Sequence, residues 1–138
     1  MYFSSLFTVA LSILSFAAAL PLHRLNHSPA LFWHVSDFNT GCSPGGCTYD
    51  FNITGIASKN TPGFKTHCSG TSVQDDLVFC DDKHVKAKVA PRLYPAWTVQ
   101  VQHAWLQGEA EFYAGGTANV TSTMKNFTIP VTEVYGVA

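Results

Sequence analysis

Apolar and polar residues alternate one for one along several short stretches of this chain. Cys47, Tyr49, Phe51 and Ile53 are interleaved with Thr48, Asp50, Asn52 and Thr54, and Trp97, Val99, Val101, His103 and Trp105 with Thr98, Gln100, Gln102 and Ala104. A period of two is that of a pleated strand with one face turned inward. Val85, Ala87 and Val89, separated by Lys86 and Lys88, predict another strand with a charged outer face. The aromatic-rich run over 30–38 predicts a first strand, ended by Asn39-Thr40-Gly41, and Phe64 to Cys68 and Leu77 to Cys80 predict two short ones. Glu109 to Thr121 reads as extended, and Gly115-Gly116 within it predicts a bulge or a close backbone approach. Phe127, Ile129 and Val131 close the pattern.

Between these runs stand turn-forming clusters: Pro44-Gly45-Gly46, Pro62-Gly63, Pro91 to Pro95 and Gln107-Gly108. Ser69 to Asp76 reads as a loop. No long stripe with a period of 3.6 is present. The expected architecture is all-β, a small antiparallel β-barrel or sandwich stapled by two disulfides. It forms one domain over 30–138, without internal repeat.

The first nineteen residues differ in kind. Met1 to Ala19 is an apolar block ending in Ala17-Ala18-Ala19, the small residues that a signal peptidase accepts. It lacks the usual basic residue near Met1. It is nevertheless too short to cross a bilayer comfortably and no basic stop follows, so a secretory signal peptide over 1–19 is expected in preference to a buried helix or membrane anchor. Residues 20–29, with two prolines, read as a flexible lead. The expected location is secreted and extracellular.

Cysteine usage fits that compartment. Cys42, Cys47, Cys68 and Cys80 are the only four cysteines, and in a short secreted chain they read as two disulfides. Three pairings are open. Local geometry favours Cys42 with Cys47 across a tight turn, and Cys68 with Cys80 across a hairpin. Four glycosylation sequons begin at Asn26, Asn52, Asn119 and Asn126, the first weakened by Pro29. Eight Lys/Arg against nine Asp/Glu give a net charge of −1, with no basic patch dense enough for nucleic acid. No second apolar run reaches membrane-spanning length, so neither a nucleic-acid nor a membrane partner is expected.

Several residue sets invite a chemical reading, and each has a plainer one. Gly41-Cys42-Ser43-Pro44-Gly45 spells G-x-S-x-G, the nucleophile-elbow pattern, but that motif needs a helix after the serine and Pro44-Gly45-Gly46 is a poor helix start. His34, His67, His84 and His103 include no pair spaced two or four apart, so no local zinc pair exists. His103, on a strand face with Val101 and Trp105, reads as a hydrogen-bonded, partly buried side chain. Asp75-Asp76 and Asp81-Asp82 with His84 lack the spacing of a calcium loop. Glu109, Glu111, Arg92 and His103 are the residue types of a small ribonuclease, but no spacing selects them. Trp97, Trp105, Tyr49 and Phe51 could line a cavity for a small apolar ligand, or simply fill the core. Nothing calls for a cofactor or a metal.

The order of several short motifs resembles a known family. Trp33-His34-Val35-Ser36-Asp37-Phe38, Phe51-Asn52-Ile53, Phe64-Lys65-Thr66-His67-Cys68-Ser69, Val78-Phe79-Cys80 and Val85-Lys86-Ala87-Lys88-Val89 together look like the Alternaria major-allergen family of fungal secreted proteins. The similarity runs from about Trp33 to Trp105. It implies a compact β-barrel whose members act as allergens and elicitors of plant defence, contact plant thaumatin-like defence proteins and, in one case, carry a flavonoid. Two features depart from the family: there is no cysteine after Cys80 for its second disulfide, and none before Cys42 for the bond that links dimers. A disulfide-linked dimer is therefore not expected. The expected function is a secreted protein without catalytic activity that binds an extracellular partner, in the first place a host plant protein. A carrier of a small apolar ligand and a small hydrolase or ribonuclease are the alternatives.

Overall fold

The computed structural model describes residues 31–137. The signal peptide over 1–19, the lead over 20–29 and the sequon at Asn26 lie outside the described residues. Eight strands follow one another: β1 (Phe32–Ser43), β2 (Gly46–Gly55), β3 (Phe64–Thr71), β4 (Val78–Phe79), β5 (Val85–Pro91), β6 (Ala96–Gln107), β7 (Ala110–Thr121) and β8 (Phe127–Val137). Among the described residues there is no helix. The strands form one antiparallel sheet in the order β3-β2-β1-β8-β7-β6-β5-β4, curled into a nearly closed barrel.

The alternating segments behave as their pattern requires. In β2, Tyr49, Phe51 and Ile53 are buried, and in β6 so are Trp97, Val99, Val101, His103 and Trp105. Their polar neighbours face out. The inward side chains form one cluster, in which Trp33 meets Phe64 edge-on at 5.5 Å and Phe38 meets Phe127 at 5.3 Å. Burying each large apolar side chain contributes roughly 1.5–3 kcal/mol, so this interior supplies most of the driving force for folding.

The first strand is longer than its sequence suggests. It does not stop at Asn39-Thr40-Gly41 but continues to Ser43. The reason is a bulge: Ser36 lies opposite Asn52 and Asn39 opposite Asp50, so β1 carries one residue more than β2 between them. Asp37 takes φ 55° there, a region that aspartate tolerates better than most side chains. Trp33 and Val35 point inward, and strict alternation would send Asp37 after them. The extra residue resets the parity, so Phe38 enters the core, fully buried, while Asp37 stays outside. Beyond the bulge, β1 and β2 run on as a hairpin, flanked by β3 as far as Thr48 and closed by Pro44-Gly45 and by the Cys42–Cys47 disulfide. Of the two glycines in this turn Gly46 needs its freedom, at φ 141°, and Gly45 has open space around it. β3 likewise runs on to Thr71, into the stretch that reads as a loop, whereas β4 is only two residues long.

Gly115-Gly116 serves both roles its sequence predicts. Gly115 faces Glu133 and Gly116 faces Val131, so the register slips by one residue of β8 at that point. A Cβ on Gly116 would run into the backbone carbonyl of Pro130 and the side chain of Ile129.

β3 and β4 are the two edges of the sheet and do not pair as strands. Three links join them. Cys68, on β3, is bonded to Cys80, just past β4. The Asp81 N–H donates to the carbonyl of His67 at 3.0 Å, and the Asp82 N–H donates to Thr66 Oγ1 at 2.9 Å. Cys68 and Cys80 are both buried, so this seam is part of the core. Two closed disulfides are consistent with an extracellular protein.

Two predictions follow from this layout. Replacing Cys68 and Cys80 together by Ala lowers unfolding stability by about 3 kcal/mol or more, whereas the same change at Cys42 and Cys47 removes about 2 kcal/mol or less, because that ring is smaller and lies at an exposed tip; denaturant titration of the two variants checks the order. Gly116→Ala destabilises by about 2 kcal/mol or more because a backbone carbonyl must move, while Gly45→Ala stays within about 0.5 kcal/mol of the parent. Thermal unfolding followed by circular dichroism reads both.

Candidate functional site

The register of β4 to β8 lays the outer side chains in rows across the strands. One row reads Phe79, Lys86, Gln102, Gly115 and Glu133. The next carries Ala104, Tyr113 and Tyr135, and the one beyond it Leu106, Glu111 and Val137. Ala104 and Gly115 are the small members of these rows, so the surface sinks between the larger ones. The result is an outer groove of about 320 Å³ lined by Phe79, Lys83, His84 and Lys86 from the β4–β5 side, Gln102, Ala104, Trp105 and Leu106 from β6, and Glu111 and Tyr113 from β7.

Its surface is unusually apolar for the outside of a barrel. Phe79, Leu106, Tyr135 and Val137 are exposed, Leu106 by 75 %. Tyr113 and Tyr135 stack at 5.2 Å. The outer face of β1 to β3 presents His34, Ser36, Asp50, Asn52, Thr54, Lys65, His67 and Ser69 instead, with Phe32 at the start of β1 as its exposed large apolar side chain. Ile56, Val73, Leu93, Tyr94 and Met124 are exposed too, but they stand in loops and turns; several exposed apolar side chains on one sheet face are a mark of an interaction surface.

The charges around the groove are sorted. The ammonium of Lys86 lies 4.6 Å from the centroid of the Phe79 ring and that of Lys83 5.8 Å, within the range of cation–π attraction. Among the described residues neither lysine forms an ion pair with a carboxylate. The acids closest in sequence are engaged elsewhere. Asp82 accepts the His84 N–H at 2.8 Å and faces the His84 ring at 3.0 Å, and the backbone bond holds its carboxyl below the usual range. Asp81 lies 3.8 Å from His67. On the opposite wall, the Glu111 carboxylate beside Tyr113 raises the phenol above its ordinary value.

The residues singled out by sequence are dispersed. Ser43 sits at the hairpin tip, where its hydroxyl donates to the Gly46 carbonyl at 3.4 Å and a strand follows in place of the helix of an elbow. His67 stands on the outer seam, 3.9 Å from Asp50 as well as near Asp81, while His34 is on the polar face. Arg92 donates to Thr98 Oγ1 at the start of β6, whereas Glu109 lies at the hairpin turn beyond its other end. Asp75 and Asp76 are exposed in the β3–β4 loop. Among the described residues no three His, Cys, Asp or Glu gather as a metal would require. Tyr49, Phe51, Trp97 and Trp105 all belong to the packed interior cluster.

The sequons differ in their surroundings. The Asn52 amide donates to the Asp37 carboxylate at 3.2 Å, Asn119 accepts the Thr98 hydroxyl at 3.1 Å, and Asn126 is exposed just before β8.

Sequence reasoning overlooked Phe79, Lys83, Lys86, Leu106, Tyr113 and Tyr135 as a set. The available signal was Leu106, an apolar residue directly after inward Trp105 and so at an outward position. What gathers the others beside it is the register of five strands, which periodicity alone leaves open. No protein-family model matches the chain, and no curated protein matches it.

His103 is buried in the barrel between Phe64 at 4.4 Å and Trp105 at 5.2 Å. The sequence-based expectation of a hydrogen-bonded ring is replaced by an aromatic sandwich: among the described residues no hydrogen bond to its ring is formed. Burial holds it harder to protonate than its ordinary value of 6.5. The unfolded chain therefore takes up a proton first as pH falls below about 6.5, and stability declines until the folded-state value is passed, levelling out below it. His103→Phe keeps the ring stack and removes this slope. Denaturant midpoints measured between pH 7.5 and pH 5 should fall for the parent and fall less for the variant.

Proposed function

We propose that this chain is a secreted, non-catalytic protein that acts by binding an extracellular partner protein, in the first place one of a host plant, through the outer face of β4 to β8. The observation that carries the reading is the asymmetry of the barrel's exterior. The outer face of β1 to β3 is mainly polar, with Phe32 as its exposed large apolar side chain, and the other side presents exposed Phe79, Leu106, Tyr135 and Val137 on the strands that form the groove and beside it. Aromatic and aliphatic side chains left in water on a rigid sheet lose solvent contact when a partner covers them, which favours association. The candidate catalytic types are spread between the hairpin tip, the seam, the interior and the two ends of β6, so no arrangement for bond-making competes with this reading. The apolar block at the N-terminus and the two disulfides support secretion. The resemblance in motif order to the Alternaria major-allergen family supports an effector-like or allergen-like role.

The test is affinity capture from plant extracellular fluid with immobilised protein, run beside Leu106→Asp and, as a control on the polar face, His34→Ala. A specific protein retained by the parent and by His34→Ala, and lost with Leu106→Asp, is the expected outcome. Retention of the same proteins by all three, or of none by any, overturns the proposal.

A further inference from the structure

Lys83 and Lys86 both lean on the ring of Phe79, which is itself half exposed. Two like charges drawn toward one ring repel each other, and the negative face of the ring offsets that repulsion only in part. The carboxylates next to them in sequence are turned to His84 and His67 across the seam. An anionic group arriving beside Phe79 would meet two ammoniums that no carboxylate of the described residues neutralises. Next to this cationic wall lie Ala104 and Leu106, an apolar strip in a groove otherwise lined by His84, Gln102, Trp105, Glu111 and Tyr113. Glu111 and Glu133 stand on the far side, on β7 and β8, where they repel a second negative charge.

We infer that the groove selects a segment of a partner protein that carries an acidic side chain next to an apolar one, the acid set between Lys83 and Lys86 and the apolar side chain over Ala104 against Leu106. This rests on the reading of the β4–β8 face as the recognition surface and gives that surface its chemistry. About 320 Å³ is at the small end of ligand sites, room for one or two side chains and not for a folded domain, so an extended segment fits it best. A peptide is favoured over an acidic sugar because Ala104 and Leu106 give an apolar side chain a place beside the lysines, which a ring of hydroxyls would leave unused.

The experiment is an amide chemical-shift titration of the ¹⁵N-labelled protein with three probes: acetyl-Glu-Leu-Glu-Leu-amide, acetyl-Lys-Leu-Lys-Leu-amide and oligogalacturonate. The acidic peptide should move the amides of residues 83–86 and 102–106 saturably, and more weakly as salt is raised. The basic peptide should leave them in place. Lys83→Gln/Lys86→Gln, two changes outside the core, should weaken binding about tenfold while the remaining amide positions report an unchanged fold. Equal response to the basic peptide, movement confined to the surroundings of Lys59, Lys65 or Arg92, an affinity indifferent to the double variant, or a stronger response to the sugar acid would each overturn it. The two levels separate cleanly. A partner captured through Leu106 but indifferent to Lys83→Gln/Lys86→Gln would sink this inference alone. Acidic-peptide binding without any captured protein would sink the functional proposal alone.

Discussion

The barrel depends on joining two edges that cannot join themselves. β3 has a full complement of residues, but β4 has only two, too few to pair along it. An open pair of edges would expose backbone groups to any passing strand and let water reach the interior. The Cys68–Cys80 bond, flanked by the Asp81–His67 and Asp82–Thr66 hydrogen bonds, substitutes for the missing ladder. Because both sulfurs are buried, the staple also fills core volume. In a domain this small the hydrophobic interior alone is marginal, and a covalent seam shifts the balance by constraining the unfolded chain.

Closing the seam fixes which side of every strand is outside. The groove is a product of that assignment. Its floor is low because Ala104 and Gly115 fall at outward positions of neighbouring strands, and its rim is high because Phe79, Leu106, Tyr113 and Tyr135 do too. The seam residues contribute directly: Asp82 caps the turn that carries Lys83 and His84, and the same turn sets Lys83 over Phe79. Thus the sulfur bridge that holds the fold together lies a few residues from the surface assigned to recognition, and a loosened seam would disturb both.

Much of the fold is legible in the chain. Strict alternation at Cys47 to Thr54 and Trp97 to Trp105 marks strands whose buried faces come out as read, and the Gly115-Gly116 pair marks the slip in register. Both disulfides pair locally, as loop geometry favours. The extent of β1 is not legible, because a polar, turn-like Asn39-Thr40-Gly41 becomes a strand once the bulge has brought it into register with β2, where Asn39 and Gly41 face water and polarity does not count against pairing. The environment of His103 is not legible either, since alternation says that a side chain points inward without saying that two aromatic rings wait there. The groove is the least legible feature. It is assembled from residues of four strands, β4 to β7, and the turn after β4, each unremarkable in its own segment, and only their register brings them together.

The bulge at Asp37 has a consequence for how this chain tolerates change. Trp33 and Val35 sit before it and Phe38 after it, with two outward residues, Ser36 and Asp37, where plain alternation would have one. Exchanging either for another small polar side chain keeps both outside. Deleting one would take the bulge away and leave Phe38 two positions after Val35, still turned inward. The surplus residue thus sets the bend and twist of the strand and not the side that its core residues face.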